Sequence, residues 1–113
     1  MDAVLSAAKK LADLLRHSPE AGAYRAAKEK LAANPDLKAR VEAFQTAHQS
    51  LSAGLLYQDR PDIAEERAIS GQYAELMLYP AAREYWSAER ALLDLVGRVM
   101  DTVAGGVEGI IEV

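Results

Sequence analysis

Apolar residues recur over 35–58 at Leu37, Val41, Phe44, Leu51 and Leu55, with His48 between them, in alternating steps of four and three. Such steps average near 3.5 residues, the period of a helix that keeps one seam turned toward a partner helix along its whole length. A helix of that extent is about 35 Å long at 1.5 Å per residue. The pattern therefore predicts a long packing helix with a histidine at one apolar position. A second series, Tyr85, Leu92, Val96, Val99 and Val103, is again close to a heptad and predicts a second long helix, the best partner for the first.

The rest of the chain is punctuated by its four prolines, each placed where a helix can begin, because proline at the first helical position loses a donor that would be unpaired anyway. Five helical segments result. In the first, Asp2 caps and Val4, Ala8, Leu11, Ala12 and Leu15 form one stripe, ending near His17. Ser18 caps the second, which has Pro19 and Glu20 in its first turn and a narrow face of Tyr24, Ala27 and Leu31. Asn34 and Pro35 start the third helix, which ends after Gly54 at the turn of Gln58, Asp59, Arg60 and Pro61. The fourth, about Asp62 to Leu78, has a face of Ile69, Tyr73 and Leu76 or Met77, weakened by Ser70 and Gly71. The fifth starts after Tyr79 and Pro80 and is expected to stop at Gly105 and Gly106. A tail over 107–113 follows, whose Ile110 and Ile111 can dock on the bundle or on a neighbour.

The fold class that follows is all-α: an antiparallel bundle of about five helices with two long heptad-like ones, oligomeric because long seams in a short chain expose more stripe than five segments can cover. With 113 residues, half of them hydrophobic but only 6% aromatic, one domain is expected over 1–113, with a core over about 3–104 and a tail over 105–113. The absence of cysteine excludes disulfides, thiolate metal sites and thiol nucleophiles, and fits a cytoplasmic protein. The longest uncharged run, Ala43 to Gln58, is too short and polar to cross a bilayer.

The residues offer little catalytic chemistry. A carboxylate-bridged metal pair in a bundle needs Glu-x-x-His, yet Leu14 and Gln45 stand three residues before His17 and His48. No His-Glu-x-x-His pattern and no glycine-rich loop before a helix is present. Six scattered serines lack an elbow motif. The chain reads as a non-enzyme with no cofactor, no metal site and no catalytic residue. His48 is read as a hydrogen-bonded core or interface histidine and His17 as a partner for its helix C-terminus. The core and interface candidates are Leu37, Val41, Phe44, His48, Leu51, Leu55, Tyr85, Trp86, Leu92, Val96 and Val99. Tyr85 and Trp86 are neighbours that cannot face the same side of a helix, so one is assigned to the core and the other to an interface.

The net charge of −4 argues against a surface made to neutralise phosphates. Charge is nonetheless uneven, with five basic and two acidic residues over 25–40 and five acidic and two basic over 59–75, so one stretch can attract the other. Arg25, Lys28, Lys30, Lys38 and Arg40 keep an RNA-binding module as the alternative to a protein-binding one.

Two blocks of residues resemble the YlbF/YmcA family of small helical bacterial regulators: Leu11, Ser18, Tyr24, Leu31, Pro35, Leu37 and Phe44, then Pro80, Tyr85, Ala88, Glu89 and Leu92 with its Tyr-x-x-Ala-Glu run. The resemblance covers about residues 3 to 103. His48 stands where the family commonly has glutamine, and Tyr79 precedes Pro80 where asparagine or a similar cap is usual. What the resemblance implies is an all-helical cytoplasmic protein that self-associates or joins related subunits, linked to competence, sporulation and biofilm formation and to a complex that steers an RNA-cleaving enzyme. Some members of that complex help hold iron–sulfur clusters through cysteines, a role this cysteine-free chain cannot share. The expected activity is thus that of a non-catalytic adaptor whose partners are itself, related subunits or an RNA-processing enzyme, with no membrane.

Overall fold

The computed structural model of the chain describes residues 2–55 and 63–111. Five helices account for 92% of these residues, and no strand occurs among them. They are α1 (Ala3–Arg16), α2 (Pro19–Ala32), α3 (Pro35–Leu55), α4 (Ile63–Leu76) and α5 (Pro80–Ile111).

Three helix starts are written in local chemistry. The Asp2 carboxylate accepts from the Val4 amide at 2.9 Å. Ser18 Oγ accepts from the Ala21 amide at 3.1 Å while donating to the Leu15 carbonyl at 2.7 Å, so one hydroxyl closes α1 and opens α2. Asn34 Oδ1 accepts from the Leu37 amide at 3.2 Å at the head of α3. Helix α5 begins differently: Tyr79 offers only its carbonyl, which accepts from Ala82 and Arg83 at 3.1 Å, and its side chain is used elsewhere.

The helices fall into two compact units, one joining Met1–Ala27 with Trp86–Val113 and the other comprising Lys28–Tyr85, so α2 and α5 each contribute to both. The second unit holds a closed core: Leu31 of α2, Leu37 and Val41 of α3, Ile69 and Leu76 of α4 and Ala82 of α5 are all buried. In the first unit the buried residues among those described are Ala21 and Ala27. Helix α1 buries none.

Four expectations need correction. The helix laid along α3 is α4 rather than α5. Burying Ile69 and Leu76 stabilises by about 1.5–3 kcal/mol each, which outweighs the roughly 1 kcal/mol that Gly71 costs in mid-helix. Helix α4 ends two residues early, at Leu76. Gly105 and Gly106 do not stop α5, which continues to Ile111. A glycine terminates a helix by taking a positive φ, and no glycine among the described residues does so. Finally, His48 is exposed, although Leu37 and Val41 below it on the stripe are buried, which removes the core alternative for it and leaves the interface one. An imidazole taken out of water needs a polar partner, and this one instead rests on the Phe44 ring, stacked at 5.9 Å and 26°, while remaining wet. The Gln58–Pro61 turn, the start of α4 at Asp62, the Leu55 and Ile111 side chains and the last two residues lie outside the described residues.

Candidate functional site

Within the unit Lys28–Tyr85, the crossing of α3 and α4 gathers most of the polar and aromatic chemistry. Arg40 on α3 donates from Nη2 to Glu75 Oε1 on α4 at 3.0 Å and from Nη1 to the Tyr79 hydroxyl at 3.2 Å, with its guanidinium 5.2 Å from the Tyr79 ring centre. The Tyr79 hydroxyl, and after it Glu75, hold the Arg40 guanidinium above its ordinary pKa against an opposing desolvation, so its charge is fixed. The tyrosine in place of a capping side chain before Pro80 thus serves as a receptor for this arginine.

One turn further along α3, Phe44 meets Tyr73 of α4 at 5.6 Å between ring centres. Between these contacts lies an open cleft of about 310 Å³ lined by Arg40, Ala43, Phe44, Ala47, Gln72, Glu75 and Leu76. Gln45 Nε2 reaches the Tyr85 hydroxyl at 3.4 Å on another side of α3. No nucleophile is paired with a base in this group. Among the described residues, no set of three or more His, Asp or Glu side chains could hold a metal, and no helix is long and apolar enough to cross a membrane.

The candidate residues divide by burial. Leu37 and Val41 are core. Phe44, Leu51, Tyr85, Trp86, Leu92, Val96 and Val99 are half-buried, and His48 is exposed. Tyr85 and Trp86 share an intermediate burial, so the pair does not resolve into one core and one surface ring. His17 does bind its helix end, with Nδ1 2.8 Å from the Asp13 carbonyl oxygen. Among the basic residues, Lys30 meets Glu84 at 3.2 Å, Lys38 meets Glu42 at 3.8 Å and Arg25 donates to the Arg16 carbonyl at 2.8 Å. The Arg40–Glu75 pair joins the basic stretch to the acidic one, as the uneven charge suggested.

In the other unit the conspicuous feature is uncovered apolar surface. Val4, Leu5 and Leu14 of α1 are exposed, and so are Leu93, Met100, Val103, Val107 and Ile110 of α5. Monomeric proteins tolerate scattered exposed leucines, but runs of them on one helix mark places where another chain sits. Of the exposed residues of α1 only Val4 belongs to the stripe read from the sequence, whose Leu11 and Leu15 are half-buried, while Leu5 and Leu14 lie off it. Of the α5 set, Val103 and Ile110 were named from the sequence, whereas Leu93 and Met100 fall outside the heptad series read there. No curated protein matches the chain. A model of the family described as control of competence regulator ComK, YlbF/YmcA, matches residues 4–108.

Proposed function

The chain belongs to the YlbF/YmcA family, whose description is the control of a competence regulator, and on that premise we propose that it is a non-catalytic regulatory subunit acting through protein–protein contact in the cytoplasm. It assembles with copies of itself and with related subunits, and through them acts on an RNA-processing enzyme. The observation that carries this reading is the apolar surface left uncovered on α1, where Val4, Leu5 and Leu14 stand in water and no residue of the helix is buried. A site that worked by chemistry would need converging titratable groups, whereas a site that works by docking needs uncovered apolar area. The cleft beside Arg40 supplies a charged, aromatic rim of the kind that orients a partner.

The alternative of an RNA-binding module on Arg25, Lys28, Lys30, Lys38 and Arg40 is less well supported, because Lys30, Lys38 and Arg40 already face carboxylates. Affinity capture of the full chain from the producing cell's cytosol, set beside its Leu5→Lys variant, tests the reading. Retention of a family subunit or an RNA-processing protein by the native chain, and its loss in a variant of unchanged helix content, is the expected result. Retrieval of no protein, together with an RNA mobility shift that weakens steeply with salt, would transfer the function to the alternative. Five phosphate contacts to a single strand give a logarithmic slope of about −3 to −4.

A further inference from the structure

The corner between α4 and α5 is held differently from the α1–α2 and α2–α3 corners. Ser18 ends one helix and caps the next, and Asn34 caps α3 with its own side chain, so those corners are closed by groups a few residues apart in sequence. Over 77–79 no side chain of the turn plays that part. Tyr79 gives α5 its carbonyl, and Pro80 has no amide to be capped. The backbone of the corner is closed by the amides of Met77, Leu78 and Tyr79, which donate to the carbonyls of Tyr73, Glu75 and Leu76. Apolar anchors stand on either side, Leu76 at 2% and Ala82 at 0% exposed, while Leu78 between them is 75% exposed.

What ties this stretch to α3 comes from far away in the sequence. Arg40 donates to the Tyr79 hydroxyl at 3.2 Å, lies 5.2 Å from the centre of that ring, and donates to Glu75 in the last turn of α4 at 3.0 Å. One guanidinium therefore grips both sides of the corner, the end of α4 and the residue before Pro80. An exposed ion pair alone is worth little. Here a rigid planar cation adds a hydrogen bond and a ring contact to the pair, which makes the grip more than the sum usual for a surface lysine. Arg83 donates to the Met77 carbonyl at 3.3 Å, a bond within the corner that does not reach α3. The Arg40 side chain remains 41% exposed, so the group that fastens this corner can be reached from solvent, whereas the bonds of Ser18 are part-buried in their own turn.

We propose that Arg40 is a latch: engaged by Tyr79 and Glu75 it keeps the α4–α5 corner on α3, and with its guanidinium withdrawn the corner opens locally while Leu76 and Ala82 hold the rest of the Lys28–Tyr85 unit closed. The order of the stretch 77–81 is then set by whatever engages Arg40. Amide hydrogen exchange of the full chain reads such an opening residue by residue. The reporters are the amides of Leu78, Tyr79, Ala82 and Arg83, whose acceptors all lie in the corner. Arg40→Met keeps an unbranched stem and loses every donor, and is expected to speed exchange at these amides about 10-fold. Tyr79→Phe keeps the ring and loses the hydroxyl, with about a 3-fold rise expected. Because the hydroxyl acts through Arg40, the double variant should exchange no faster than Arg40→Met alone. Lys38→Met breaks an exposed pair internal to α3 and should leave the corner at its native rate. Amides of α2 should keep their rates in all four variants.

Corner rates unchanged in Arg40→Met overturn the latch, since the turn would then be closed by its own backbone. Additive effects of Arg40→Met and Tyr79→Phe overturn it as well, because the two groups would be acting separately. A rise shared equally by α2 and the corner, or matched by Lys38→Met, reports a general loss of stability and has the same consequence. The latch lies within one chain, so its result is independent of whether the protein captures partners or assembles with itself.

Discussion

Leu76 and Leu78 provide a matched pair for testing the core of the Lys28–Tyr85 unit. They are the same residue type two positions apart, at the end of α4 and just beyond it, yet Leu76 is 2% exposed and Leu78 is 75% exposed. Truncating Leu76 to alanine removes about three methylene equivalents, worth roughly 2.4 kcal/mol of transfer free energy at about 0.8 kcal/mol each. The incompletely refilled space adds to this, so Leu76→Ala should cost about 3 kcal/mol in all. Leu78→Ala should stay within about 0.5 kcal/mol of the native chain. With a urea slope of roughly 1.5 kcal/mol per molar, the first variant unfolds about 2 M earlier and the second at the native midpoint. Circular dichroism in urea reads both. Equal losses in the two variants would refute the burial assignment and shift the register of α4's last turn. The measurement belongs at two chain concentrations, because a loss at Leu78 that grows with concentration would report cover by a second chain rather than by its own core.

Two further outcomes follow from local geometry. Ser18→Ala removes the acceptor of the Ala21 amide and the donor to the Leu15 carbonyl, and is expected to lower stability by about 0.5–2 kcal/mol in the same urea titration, with Ser18→Asp restoring part of it. Gly71→Ala in α4 places a methyl group where nothing lies within 4 Å and where φ is not positive, so it should raise the thermal midpoint by the equivalent of about 0.5–1 kcal/mol; a loss of stability would mean that position 71 is in contact with something.

Helix starts were the most legible feature of the sequence because their causes lie within four residues. A side-chain acceptor followed by proline satisfies donors that no other part of the chain can reach, and Ser18 and Asn34 do what their spacing implies. The family resemblance drawn over about 3–103 is likewise matched over 4–108. Helix ends were less legible, since glycine is a stop only if the backbone turns left-handed, and at Gly105 and Gly106 it does not, so α5 runs on to Ile111. Which helix packs on α3 was not legible, because periodicity reports a face and is silent about its neighbour. The clue lay in opposite charges, Arg40 in one stretch and Glu75 in another 35 residues away. Ala82, fully buried at the head of α5, gives almost no periodic signal against a background rich in alanine.

The two units differ in how far their apolar residues are used, and that difference bears on regulation. Both contain amphipathic helix, but only Lys28–Tyr85 closes a core from four helices, and a residue ordered in water loses roughly 1–2 kcal/mol of backbone entropy that burial must offset. In α1 and in α5 beyond Trp86, the residues able to supply that offset, among them Leu5, Leu14, Leu93 and Met100, remain in water. On the proposed reading, cover by a second chain supplies the missing term, so ordering of this part and assembly form one linked equilibrium rather than two successive events. A protein so divided needs no catalytic residue to act as a regulator. On that reading its closed unit keeps the Arg40 cluster in place at any concentration, the open unit would change state with the amount of partner present, and the assembly state would be the quantity it communicates.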